Sequence, residues 1–158
     1  MAPITLLSSF ESVTELWETV LQNCPTNSPF MAIQWQQKWW EEIGQRENVC
    51  FICVSTTTQT IGIAAVRSTG DAISLVGDDD VCDYNDFLIA AGSELCFFTD
   101  LVDYLVDKNW KTLRLPSLTP ESPTLKFLPD VARARGWSVE VDKGEVAPGK
   151  VLPTDWDT

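Results

Sequence analysis

The sequence predicts an α/β domain with a central mixed or mostly antiparallel sheet covered by helices. Apolar residues recur at helical spacing in four segments, and short β-type runs lie between them. Gly and Pro punctuate the joins. The 158 residues suit one α/β domain or half of a two-domain enzyme, and they can bury a core without disulfides.

The first helix is expected over Phe10 to Cys24, where Val13, Leu16, Trp17, Val20 and Leu21 make an apolar stripe and Pro25 stops the run. After the Asn27-Ser28-Pro29 loop, Ala32 to Ile43 reads as a second helix. Trp35, Trp39 and Ile43 are spaced i+4, Trp40 stands beside them, and Gly44 suits the C-terminal cap. Such a Trp stripe is expected to be core. Val49 to Ser55 is apolar on both faces, as a central strand would be. Thr56 to Gln59 turns the chain into a hairpin partner over Thr60 to Arg67. Ala72 to Val76 and Asp86 to Ala90 are the third and fourth strands, and the adjacent carboxylates of Asp78-Asp79-Asp80 demand a loop between them. Ser93 can cap a helix carrying Leu95, Phe98, Leu101, Val102, Leu105 and Val106. Lys111 to Leu115 is a strand ended by Pro116, with Arg114 expected to reach solvent or a carboxylate. Pro123 to Arg135 is helical, with Pro129 kinking it or starting its second part, and Gly136 ends it. Trp137, Val139 and Val141 alternate with polar residues as in a half-buried strand. The order is ααββββαβαβ, with no internal repeat.

Composition narrows the function. The formal net charge of -12 repels phosphate backbones and argues against a nucleic-acid partner. No His is present, which removes His-based triads, His general bases and most catalytic zinc sites. The five Cys show no disulfide framework. Cys50 and Cys53 form a CxxC, but inside a β run residues three apart face opposite sides and cannot converge on one metal. Cys24, Cys82 and Cys96 have no His or basic neighbour in sequence to activate them. No basic-then-apolar leader and no membrane-length apolar run is present, so a reduced, cytoplasmic protein without membrane insertion is expected. No Gly-rich phosphate cradle appears, and nothing assembles a nucleophile with its base, so no catalytic residue is assigned.

The candidate site is the segment Asp83-Tyr84-Asn85-Asp86. Its neighbourhood holds five carboxylates, Asp78, Asp79, Asp80, Asp83 and Asp86, at the wrong spacing for a calcium loop. The segment mixes polar groups with a Tyr and runs straight into an apolar strand, a usual place for a ligand-facing site.

The element order and four local patterns together resemble the GNAT-superfamily acetyltransferases of the cellulose-biosynthesis (CelD/BcsL-like) type. The patterns are Ser28-Pro29-Phe30 leading to Trp35 and Trp39-Trp40; Asp83-Tyr84-Asn85-Asp86-Phe87-Leu88; Trp110 to Leu118; and Ser122-Pro123-Thr124-Leu125 followed by Gly136. The closing Leu152-Pro153-Thr154-Asp155-Trp156-Asp157 is similar to the start of that family's linker helix. The resemblance implies a GNAT-like domain over residues 1–145, with its mixed, mostly antiparallel sheet flanked by helices, and a linker start over 146–158. The missing C-terminal half would bind acetyl-CoA or another acyl-CoA, while this half binds no cofactor and no metal. This half would scaffold the other and wall the acceptor groove with Asp83, Tyr84 and Asp86, the Asp pair holding a cationic acceptor. The alternative is an acidic interaction or dimerisation module without chemistry. Trp156, after a Pro-rich stretch, normally docks somewhere, so self-association of the chain alone is expected.

Overall fold

The computed structural model describes residues 3–44, 48–78 and 80–144. The expected linker start over 146–158, with Thr154 and Trp156, lies outside the described residues. In chain order the elements are β1 (Ile4–Leu7), α1 (Phe10–Leu21), a 3-10 turn (Pro29–Met31), α2 (Ile33–Glu42), β2 (Val49–Ser55), β3 (Thr60–Thr69), β4 (Ala72–Leu75), β5 (Leu88–Ile89), α3 (Glu94–Asp107), β6 (Thr112–Arg114) and α4 (Pro123–Ala134).

The sheet runs β1-β2-β3-β4-β6, and β5 also pairs with β3. Every pairing is antiparallel except β4 with β6, which are parallel and are connected through α3. The sheet is thus mixed and mostly antiparallel, as expected. Strand β2 lies between β1 and β3, and its sequence is apolar on both faces because both are covered. Ile52 and Val54 meet Phe98, Leu101 and Leu105 of α3 and Leu128 and Val131 of α4 in one core. Phe51 and Cys53 meet Phe10, Val13 and Trp17 of α1 and Trp39 of α2 in the other. Helices therefore cover both faces.

Two parts of the element order are corrected. The first strand, β1, was not expected: it has only four residues, and although three are apolar its centre is exposed, too short a run to announce a strand. Conversely, Trp137 to Val141 forms no ladder among the described residues. Its Trp137 and Val139 still pack against the α3/α4 core, so the alternation reflects half-burial without strand pairing. The stripes also overreach at their margins: Leu16, Ile43, Leu95, Val106 and Trp35 are exposed.

Local chemistry fixes the helix ends. Ser9 caps α1 by accepting from the Ser12 N–H at 3.2 Å. Gly136 takes a left-handed φ of 83° after α4, a conformation glycine adopts without Cβ strain. Arg135 then bridges back to Asp103 of α3 at 2.8 Å and holds that carboxyl below its usual range. Pro129 sits inside a helix that continues past it. Among the described residues no helix is long and apolar enough to cross a membrane.

All five Cys are free; Cys24, Cys53 and Cys82 are buried, Cys50 is half-buried and Cys96 is exposed. Cys50 and Cys53 belong to opposite cores, as period-two geometry requires. Burial pushes the Cys53 thiol up to about 11, with Cys50 adding to it, and raises Cys50 as well. Iodoacetamide on the native protein should therefore modify Cys96 alone, slowly at neutral pH because burial and Asp100 raise that thiol too. Intact-mass analysis giving adducts on Cys53 before unfolding would contradict this placement.

Candidate functional site

The site is built on a break in one strand position. Along β3, Val66 to Thr69 pair with β4, whereas Gly62 and Ile63 pair with β5. The chain leaves the sheet after Leu75 and returns at Leu88, still beside β3. The excursion 76–87 between these two staples carries the candidate segment.

Asn85 fastens the excursion. Its backbone N–H donates to the Ser117 carbonyl at 3.0 Å and its Nδ2 to the Val76 carbonyl at 2.8 Å. Ser117 sits at a left-handed φ of 62°, a conformation that costs a non-glycine residue energy and persists where surroundings impose it. Asp86 is buried against the first turn of α4. Its Oδ2 accepts from the Ser122 hydroxyl at 2.6 Å, and its Oδ1 accepts from the Phe87 N–H at 2.8 Å and from the Thr124 hydroxyl. Ser122 also caps α4, accepting from the Thr124 N–H at 3.0 Å. Burial pushes the Asp86 carboxyl above its ordinary value, and the three hydrogen bonds oppose that without cancelling it.

Beside Asp86 opens a cavity of about 640 Å³, walled by the 25–31 turn, by Tyr84 to Asp86, by Glu94 at the start of α3, and by Thr119, Glu121 and the first turn of α4 as far as Phe127. The 25–31 turn is held from beneath. The indole of Trp17 donates to the Met31 carbonyl at 2.9 Å, and the buried Gln36 donates to the Phe30 carbonyl at 2.8 Å. The Ser28 hydroxyl oxygen, which is itself buried, has no partner among the described residues.

Of the residues expected to form the site, Tyr84 and Asp86 line the cavity and Asp83 does not. Asp83 is exposed, so the two carboxylates do not converge. Asp78 is drawn inward rather than solvated: its carboxylate accepts from the Trp39 indole at 3.2 Å and the Val81 N–H at 3.1 Å. Ser122, Thr124 and Glu94 were not legible as site residues. Ser122 followed by Pro123 carried a readable signal, a capping residue before proline at a first helical position. Among the described residues no group of three or more His, Cys, Asp or Glu could hold a metal ion.

The start of α3 shows what it can accept. Ser93 makes no side-chain cap. The Gly92 N–H, which precedes the cap, donates to the Glu94 carboxylate at 3.0 Å, so a negative group sits beside the start of α3.

No family model matches the chain, and no curated protein matches it. Among solved structures it is similar to a probable acetyltransferase, with a TM-score of 0.52 over 95% of this chain and 99% of that one at 12% identity. A spermidine N-acetyltransferase from Vibrio cholerae, solved in complex with CoA and spermine, aligns with a TM-score of 0.39 over 71% of this chain and 69% of that one at 11% identity. The fold is GNAT-like, with a mostly antiparallel sheet flanked by helices.

Proposed function

We propose that this chain is the half of a GNAT-type acyltransferase that does not bind acyl-CoA, scaffolding a catalytic half and forming one wall of the acceptor groove. The observation that carries the reading is the cavity at the break between β4 and β5, lined by Tyr84 and Asp86 in a fold shared with a probable acetyltransferase. An amine or hydroxyl acceptor would lie along Tyr84. Asp86 fixes that wall through α4, and Asp83 stands at the outer approach. The more specific likeness to the CelD/BcsL-like branch belongs to this proposal, as does the placing of acetyl-CoA or another acyl-CoA on the other half. Glu94 supports the division of labour, because its carboxylate on the Gly92 N–H opposes a phosphate at that helix start.

Calorimetry of the chain with acetyl-CoA should show no binding tighter than ~100 μM, about 5.5 kcal/mol. In the protein carrying both halves, Tyr84→Ala should lower kcat/KM for the acceptor by about tenfold, mainly through KM, as removal of ground-state contacts does. Tight acetyl-CoA binding by the chain alone would overturn the division, and an unchanged KM would overturn the wall. The second reading is an acidic interaction or dimerisation module, favoured by the exposed aromatic side chains Trp35 and Tyr84. A both-halves protein with no acyl transfer, together with a chain that sediments as a dimer, would favour it.

A further inference from the structure

The exposed aromatic side chains form a connected row. Trp35 meets Phe30 edge-on at 5.2 Å between ring centroids, and Phe30 meets Tyr84 at 6.1 Å. Trp35 is 38% exposed and Tyr84 42% exposed, yet the turn carrying Phe30 is pinned by two buried side chains, Trp17 and Gln36. Rings held this firmly at a surface lose little freedom when something stacks on them. The row ends in the cavity, since Tyr84 belongs to both. Among the described residues its lining carries the carboxylates of Glu94 and Glu121 and the cation of Lys126, besides Asp86 held by α4, and Asp83 is exposed next to Tyr84. The whole chain carries a net charge of -12.

We propose that the Trp35–Phe30–Tyr84 row and the acid-lined cavity beside it form a docking surface for a basic peptide segment. One Lys or Arg side chain lies over the exposed face of Tyr84 or Trp35, and a second enters the cavity toward Glu94 and Glu121. Cations favour aromatic faces, and the carboxylates supply the complementary field. This surface shares Tyr84 and the cavity with the proposed acceptor wall, but peptide binding is read on the chain alone, so its failure is distinguishable from a failure of acyl transfer.

The test titrates the 158-residue chain with an eight-residue alternating Lys-Gly peptide, read by indole fluorescence and by amide shifts. An equal-length Glu-Gly peptide and 1,4-diaminobutane are run beside it. The Lys-Gly peptide should bind and shift residues of the 25–35 and 83–86 segments. Trp35→Ala and Tyr84→Ala, which leave the charge unchanged, should each weaken it by about fivefold to tenfold. Glu121→Gln should weaken it more than Glu140→Gln, a remote exposed acid. Binding that ignores both aromatic substitutions, that falls equally with Glu140→Gln, or that diaminobutane matches would overturn the proposal. No Lys-Gly binding at low salt would overturn it too. Unchanged thermal unfolding of both aromatic variants separates loss of binding from loss of fold.

Discussion

Replacing Asp86 with Ala should destabilise the protein by about 3 kcal/mol, lowering the unfolding midpoint by roughly 6–12 °C for a chain of this size. The carboxylate is the shared acceptor for the Ser122 and Thr124 hydroxyls and for the Phe87 N–H. Alanine leaves three donors at a buried place without it. Asp86→Asn keeps one acceptor oxygen and should cost about 1 kcal/mol at neutral pH. The two proteins should then diverge with pH. Burial raises the folded carboxyl above its unfolded value, so the folded state takes up the proton more readily. Asp86 therefore contributes a stability that is full below the ordinary carboxylate range and is lost as pH rises through the raised folded value. The wild-type advantage over Asp86→Asn should grow as pH falls from 7 toward 4. Denaturant melts of both proteins at several pH values measure it, and an advantage that shrinks on acidification would refute the assignment of burial as the dominant influence.

Gly62→Ala should destabilise the protein by about 2–3 kcal/mol, the range for overpacking a filled core. A Cβ at position 62 would stand 2.3 Å from Cδ2 and 2.7 Å from Cε2 of Phe97, and 3.1 Å from the Leu88 carbonyl. The ring cannot move aside, because Phe97 is fully buried against Phe87 and Phe98, at 5.7 and 5.3 Å. Phe97→Leu should cost about 1–2 kcal/mol by itself. Combined with Gly62→Ala it should cost less than the two summed, giving a coupling of at least about 1 kcal/mol. Strict additivity in that cycle would show that α3 does not rest on Gly62.

The parts of the fold that were legible are those in which one element decides its own state. Val13, Trp17 and Val20 signal α1 by spacing alone, and both buried faces of β2 are written in Phe51 to Val54. The illegible parts depend on partners distant in sequence. Strand β1 exists because β2 offers it a ladder from Ile4↔Val54 to Leu7↔Phe51, and nothing inside Ile4 to Leu7 encodes that offer. Trp137 to Val141 has the alternation of a strand but no ladder among the described residues, and side-chain pattern cannot report hydrogen-bond partners. The site divides in the same way. Tyr84 and Asp86 stood out because polar groups preceded an apolar strand. Ser122 and Thr124 reach Asp86 across 36 and 38 residues of chain, a separation that no local motif spans. Asp83 is exposed and does not line the cavity, although Tyr84, exposed like it, does, and Asn85 and Asp86 are buried there.

The break between β4 and β5 also bears on how the protein can change. Both stubs of the interrupted strand are registered on β3, through Val66↔Leu75 on one side and Ile63↔Leu88 on the other. The distance the excursion must span is therefore set by two fixed points on a neighbouring strand, whatever its own length or composition. Such a segment is a cassette. Its residues can be exchanged or lengthened at the modest entropic cost of a longer closed loop, while the ladder on either side keeps its alignment. New binding preferences could be grafted there with the scaffold unaltered, provided the inserted piece retains the buried Val76, Cys82 and Phe87, an Asn to grip Val76 and Ser117 and an Asp to seat α4.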